Sequence, residues 1–264
     1  MLIVISPAKK LNEHQSELPD GHEITEPEFA SAADELAAIA RKLSIPQLQE
    51  LSGISESLAK LNQQRFQQFS SQPAPGVVLP AIHCFAGDTY QGLVARTMSA
   101  EGLKWAEQRL RILSGLYGLL RPFDGIQPYR LEMGSKLRNP AGPDLYAYWG
   151  DRISASLTRL ANTNGTDAIL NCASVEYFTA ANRDTLKLNV ITPVFLEDTG
   201  GETKMVSFWA KRARGAMARF VCENQITKPS HLREFASDGY GFRDDLSTQT
   251  RLVFVRSAVS KIAA

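Results

Sequence analysis

Leu2-Ile3-Val4-Ile5-Ser6-Pro7-Ala8-Lys9-Lys10 opens the chain, and its reading decides the fold class. Four consecutive apolar residues, three of them β-branched, are stopped by Ser6-Pro7. Such a run reads as a short buried strand. Working outward, similar runs recur at Val77–Phe85, Ala168–Ala173, Val190–Leu196, Met205–Ala210 and Arg251–Val255. Pro80 lacks an amide proton and places its strand at an edge or a bulge. Asp198-Thr199-Gly200-Gly201 joins the fourth and fifth of these six strands as a hairpin.

Helical patterns lie between the strands. Thr25 and Glu28 have capping-box spacing, and Phe29, Ala33, Leu36, Ala40 and Leu43 recur on one face after them. Ser44 and Gln47 repeat the box and open a short helix ending near Leu51. Gly53 punctuates it, and Ser55 caps a further helix to about Phe69. Helices are also predicted over Glu101–Leu120, stopped by Arg121-Pro122, and over Leu145–Ala161, Val175–Arg183 and Lys211–Asn224. Residues 9–24 and 72–76 are turn-rich loops, and 121–143 forms a long Pro/Gly-rich loop of the kind that carries function. No repeat, low-complexity tract or linker divides the chain. The fold class is α/β in the mixed α+β sense. A single domain over residues 1–264 has a mixed sheet, surrounding helices and an embedded helix-hairpin-helix at 45–69.

Composition excludes several classes. With 44% hydrophobic and 22% charged residues the 264-residue chain is an ordinary globular protein, long enough to need no disulfide or metal for its core. The net charge of +1, from 29 basic and 28 acidic residues, gives no global attraction to polyanions; only local clustering would. Cys84, Cys172 and Cys222 are odd in number and form no C-x-x-C pair, which fits a reducing compartment and no structural zinc. His14, His22, His83 and His231 have no ligand spacing, so neither a metal site nor a cofactor is expected. The opening apolar run is too short for a signal peptide or a membrane span. A cytoplasmic location is expected, with no membrane partner.

Three segments carry candidate chemistry. Leu48-x-x-Leu51-Ser52-Gly53-Ile54-Ser55-x-x-x-Ala59 has the spacing of a helix-hairpin-helix. In that motif, backbone amides at a helix start point outward at a phosphate, which reads no bases. Gly53, Ile54 and Ser55 form the corner, and Lys60 and Arg65 lie on the second helix. The motif usually has Gly at both corners; here the second is Ser55, and an ordinary capped helical hairpin has the same pattern. Second, residues 204–219 hold Lys204, Lys211, Arg212, Arg214 and Arg219 with no acid among them. On a helix Lys211, Arg212, Arg214 and Arg219 share one half of the surface, opposite Ala213, Met217, Phe220 and Val221. A solvated face normally mixes signs, so this one suits a polyanion unless acids elsewhere pair with it. Third, Arg121, Asp124, Tyr129, Arg130 and Glu132 put cations, acids and a phenol into one rigid loop. That mixture suits either a cleft wall or an internal salt-bridge lattice. Lys9, Asp88, Asn171 and Glu176 lie at probable element ends, where α/β sheets bind ligands. No catalytic motif of a known class is present, and no catalytic residue is assigned.

Longer stretches add a resemblance. Residues 1–9 (MLIVISPAK), 85–93 (FAGDTYQGL), 112–134 (ILSGLYGLLRPFDGIQPYRLEMG), 148–151 (YWGD), 171–178 (NCASVEYF) and 208–220 (FWAKRARGAMARF) resemble the signatures of the YaaA peroxide-stress family (UPF0246, DUF328) in order along the chain. The resemblance implies defence against hydrogen peroxide linked to low free intracellular iron. It also implies a single α/β domain with a helix-hairpin-helix, a positively charged cleft and DNA binding. The hairpin maps onto 45–69. Our own assignment of the cleft is the 211–219 helix and the Arg121–Arg130 loop. The leading expectation is therefore sequence-independent binding of double-stranded DNA, with about four phosphates neutralised and a log–log salt slope near −3.6. The alternative is an enzyme acting on a nucleotide, damaged base or other phosphorylated small molecule, with Lys9, Asp88, Arg121, Arg130, Asn171 and Glu176 around its pocket. Direct iron handling lacks ligand clusters and is least favoured.

Overall fold

The computed structural model describes residues 1–14, 18–19, 21–74 and 76–257. The turn read at Pro19-Asp20-Gly21 and the loop at 72–76 each include a residue outside them. In chain order the elements begin with β1 (Leu2–Ile5), α1 (Ala30–Ala40), α2 (Ile45–Ser52), α3 (Glu56–Gln68), β2 (Leu79–Pro80), α4 (Ala81–Cys84) and α5 (Asp88–Leu93). Next come α6 (Ala100–Arg109), β3 (Leu110–Ser114), β4 (Gly118–Leu120), β5 (Gly125–Ile126), α7 (Leu145–Trp149), α8 (Arg152–Thr163), β6 (Ala168–Cys172) and α9 (Val175–Ala181). The chain continues through β7 (Asn189–Asp198), β8 (Thr203–Lys204), α10 (Ser207–Glu223), β9 (Gly241–Phe242) and β10 (Arg251–Ser257).

β1 is the hydrogen-bonded neighbour of two parallel strands. Ile3 pairs with Leu110 of β3 on one side and with Leu170 of β6 on the other. The sheet runs β4-β3-β1-β6-β7-β10-β9, with β8 added to β7. β4, β8 and β9 are antiparallel to their neighbours, and the five strands between β3 and β10 are parallel. The mixed α/β reading therefore holds. Every residue of β1, β3 and β6 is buried, as parallel strands covered on both faces must be. β2 and β5 form a separate two-stranded ribbon.

Several predicted elements are corrected. The helix expected over Glu101–Leu120 ends at Arg109, and Leu110–Leu120 becomes the β3–β4 hairpin. A continuous apolar run fits a buried strand as well as a helix face, and Gly118, at φ 68°, turns the chain where a helix would continue. The strand expected at Val77–Phe85 shrinks to Leu79–Pro80, with Ala81–Cys84 helical. The Asp198–Gly201 hairpin forms, but its second strand is Thr203–Lys204, and Ser207 already begins α10. Gly150, at φ 49°, splits the expected helix at 145–161 into α7 and α8. Thr25 caps no helix: α1 starts at Ala30, and the Thr25 hydroxyl donates to Asp124 Oδ1 at 2.7 Å. The box at Ser44 and Gln47 is formed as expected, with both reciprocal bonds present.

α10 packs along α5 at near backbone contact. A Cβ built on Gly215 lies 1.7 Å from the Thr89 carbonyl oxygen, and one on Gly92 lies 1.9 Å from that of Arg212. No side-chain rotation relieves a clash with backbone, so the helices can approach only with glycine at both positions. Gly215→Ala is expected to separate α5 from α10 and cost roughly 1–3 kcal/mol, the usual range for overpacking. Thermal unfolding should show a midpoint lower by about 2–4 °C per kcal/mol; an unchanged midpoint would refute the close contact.

Candidate nucleic-acid interface and the adjoining crevice

The α2–α3 hairpin is built from local chemistry. Ser44 Oγ accepts the Gln47 amide at 3.4 Å and Gln47 Oε1 accepts the Ser44 amide at 2.8 Å, which closes the first turn of α2. Gly53 ends α2 in the left-handed region at φ 58°, ψ 46°, and a Cβ there would meet nothing within 4 Å. The corner faces open space. Ile54 turns inward and is buried with Leu48 and Ala59, anchoring the hairpin. Ser55 caps α3, its Oγ accepting the Leu58 amide at 3.4 Å. The amides of Ser55, Glu56 and Ser57 have no acceptor among the described residues. Three donors thus point outward at the positive end of a 13-residue helix. The cations beside them are not free: Lys60 Nζ lies 2.6 Å from Glu56, and Arg65 pairs with Glu13.

Two tertiary anchors hold the hairpin. Arg41, which ends α1, donates to the carbonyls of Phe66 and Phe69 at 2.9 and 2.6 Å, satisfying the end of α3. Asn62, buried in mid-helix, brackets Arg130: its Nδ2 donates to the Arg130 carbonyl at 2.8 Å and its Oδ1 accepts the Arg130 amide at 2.9 Å. Sequence reasoning missed Asn62. The signal was a polar residue at the inward spacing of Ala59, Asn62 and Phe66.

α10 presents the predicted cations unequally. Lys211 is exposed and has no partner among the described residues. Arg212 Nε lies 3.2 Å from Asp238 Oδ2. Arg219 is an internal clamp: it donates to the carbonyls of Leu93, Val94 and Thr97 and pairs with Glu223 at 3.1 Å. Arg214 is half-buried and has neither a hydrogen bond nor an ion pair among the described residues. The uniform cationic face read from the sequence is corrected to one free lysine, one loosely paired arginine and two withdrawn arginines. α10 packs on α5, α6 and the sheet, whereas α3 packs on α2, α1 and the Arg130 segment. The two cationic features belong to different layers of the molecule.

The cleft candidates also divide. Arg121 and Asp124 form a structural knot. Asp124 is 1% exposed and accepts the Arg121 Nε and amide, each at 2.8 Å, and the Thr25 hydroxyl, while Arg121 Nη2 donates to the Glu26 carbonyl at 2.6 Å. Lys9 and Arg130 do come together on Glu132, at 3.8 and 3.0 Å. The recess they line with Tyr129 and Tyr177 holds only about 20 Å³, space for a single water and not for a nucleotide. Glu176 Oε1 accepts the Gly134 amide at 2.9 Å and so staples the long loop to α9. Asn171 Oδ1 accepts the Ala173 amide at 3.0 Å, closing the turn off β6. Asp88 opens α5 without a partner among the described residues. Burial pushes the thiols of Cys84 and Cys172 up to about 12, so neither is a nucleophile at neutral pH. Among the described residues no three His, Cys, Asp or Glu side chains are placed to hold a metal ion, and no helix is long and apolar enough to cross a membrane.

Comparison with known proteins fixes the lineage. Residues 1–246 match the family described as Peroxide stress protein YaaA. A UPF0246 protein of Cereibacter sphaeroides strain KD131 is 54% identical over 258 residues, covering 97% of this chain and 100% of its own. One from Ruegeria pomeroyi is 52% identical over 256 residues, covering 97% and 98%. One from Jannaschia sp. strain CCS1 is 49% identical over 264 residues, covering all of both chains. The chain therefore belongs to the peroxide stress protein YaaA family, whose members here carry the name UPF0246.

Proposed function

We propose that this protein binds double-stranded DNA without sequence preference, in the response to hydrogen peroxide, and protects DNA from oxidative damage. The observation that carries the reading is the exposed hairpin corner. Gly53 in the left-handed conformation and the capped start of α3 leave three adjacent amides directed at solvent. Amides of that kind hold phosphate oxygens through hydrogen bonds strengthened by the ligand's charge. They touch no base edge, so binding is indifferent to sequence. Lys60, held only by its exposed pair with Glu56, supplies charge beside the amides, and Lys211 and Arg212 supply it from the separate α10 layer. Arg65, Arg214 and Arg219 are left out of the interface because the fold withdraws or engages them. Bound protein would shield the backbone from hydroxyl radicals made by iron and peroxide; the link to low free iron rests on the family resemblance alone. The enzyme alternative gains no support from the recess beside Lys9, which is too small for a nucleotide.

With about three phosphates neutralised, the log–log salt slope should be near −2.7. Fluorescence anisotropy on duplexes of unrelated sequence across a salt series measures it. Equal affinities and that slope are expected; no binding at low salt sinks the proposal.

Glu56 provides a finer test, because it is the acid in the first turn of α3 and carries one of the three amides. Glu56→Gln removes the acid and should tighten binding by about two- to fivefold, the scale of a single charge at a helix terminus. Glu56→Pro removes the acid and one amide together. Proline is favoured at this first helical position, and Ser55, at ψ 159°, has the backbone that a following proline needs. Glu56→Pro should therefore fold and bind about tenfold more weakly than Glu56→Gln, the value of one charged hydrogen bond. Equal affinities would exclude the amides from the contact.

A further inference from the structure

Between the start of α1 and the segment that follows α3 lies a cavity of about 470 Å³. Small-molecule sites occupy roughly 300–1,000 Å³. Ser31 and Asp34 line it from one face of α1, and Glu26 from the segment before that helix. Phe69 and Tyr117, both buried, line it as well. The exposed hairpin corner is at the other end of α3, a helix of 13 residues and hence about 20 Å long.

The charge of the cavity has one sign. Glu26 and Asp34 line it, and among the described residues no Lys, Arg or His does. Neither carboxylate has a hydrogen bond or an ion pair among those residues. Arg41 is the cation whose charge reaches Asp34, and its guanidinium is engaged by the carbonyls of Phe66 and Phe69. Burial raises the Asp34 carboxyl above its ordinary value; Arg41 opposes that shift and Glu26 adds to it. Acids that share a space without a counterion disfavour each other's charged form. A cation from outside would relieve both.

Unused donors lie in the same wall. α1 has no side-chain cap, and the Ser31 amide and hydroxyl have no partner among the described residues. The Tyr117 oxygen accepts the Gln127 amide at 3.0 Å, and its own proton has no acceptor among them. These groups suit a ligand oxygen placed beside the cation.

We propose that this cavity binds a small molecule through an ammonium group held by Asp34 and Glu26. The ligand is an aliphatic amine or a free basic amino acid, and the site stands independently of the DNA reading.

Thermal unfolding of the full chain, at constant ionic strength and without DNA, tests the proposal. Cadaverine and lysine share two amino groups on one carbon chain and differ by a carboxylate. Either at about a hundredfold excess over Kd should raise the midpoint by roughly 5–10 °C, and the neutral 1,5-pentanediol should not. Asp34→Asn should weaken binding about tenfold, the scale of one charged hydrogen bond. Its midpoint without ligand should be unchanged or higher, since it removes an unpaired charge. Glu26→Gln, on the exposed segment before α1, should weaken binding severalfold, and it keeps the test open if Asp34→Asn does not fold. A larger rise with lysine assigns the site to amino acids, their carboxylate at Ser31 and Tyr117; otherwise the site belongs to simple amines. No rise with either ligand, an equal rise with the diol, or an undiminished rise in the variants overturns the proposal. DNA binding reads the opposite end of α3, so failure of either reading is seen separately.

Discussion

β1 contributes four residues, yet each is wholly buried and the strand is hydrogen-bonded in parallel on both sides. Its partners lie more than a hundred residues away in sequence, so each of these pairings must close a long loop before any of its bonds forms. The register then fixes what happens beyond the strand. Ile5 pairs with Ile112 and with Cys172, so three chain exits stand in one row. Ser6, Ser174 and Ser114 are the polar residues of those exits, and each is tied down: Ser6 to Ser174, and Ser114 to the Tyr129 hydroxyl at 2.6 Å. Tyr90 of α5 adds a hydrogen bond to the Ser6 carbonyl at 3.2 Å. The alignment of these exits is a consequence of strand pairing.

The long loop over residues 121–143 would be costly to order without partners, and side chains from neighbouring elements supply them. Asn62 holds Arg130 from the hairpin side, Glu176 holds Gly134 from α9, and Trp149 Nε1 donates to the Gly115 carbonyl at 3.0 Å beneath it. Gly115 lets the loop come within backbone contact: a Cβ there would lie 2.2 Å from the Leu131 oxygen. These staples connect the hairpin to the sheet edge, so the position of the exposed amides depends on the loop. A cation-rich stretch of sequence became a mechanical joint.

The hairpin was legible because its determinants are local. Ser44 with Gln47, Gly53 and Ser55 act within one or two turns of their own positions, and the structure uses each in the role its chemistry predicts. β3 was illegible for the opposite reason. Leu110-Arg111-Ile112-Leu113 carries apolar residues at spacings that satisfy both periods, and only pairing with β1 selects the strand. Arg111 within it is buried, donating to the carbonyls of Glu107 and Leu110 at 2.9 and 2.7 Å, which no periodicity argument foresees. Thr25 had the spacing of a cap, but its hydroxyl was claimed by Asp124 from 99 residues away. The cation face of α10 failed in the same manner, since the carbonyls that engage Arg219 come from the segment after α5. Local chemistry survives folding; the fate of a long charged side chain is decided by its distant neighbours.

That distinction bears on how this protein would meet a polyanion. A net charge of +1 supplies almost no long-range steering, and several arginines that might have built a local field bind carbonyls or carboxylates instead. Arg256 is the extreme case, buried on Glu197 at 2.7 Å and stacked over Trp209 at 4.0 Å. What remains outward is Lys211 and backbone: three amides at the start of α3, whose partial charge is set by the helix. Such donors act only at contact distance, so association would be slow by the standard of basic DNA-binding proteins and comparatively tolerant of salt. An interface of this kind favours residence on DNA already near at hand over capture from afar. That suits a protein whose proposed task is to cover DNA during peroxide stress.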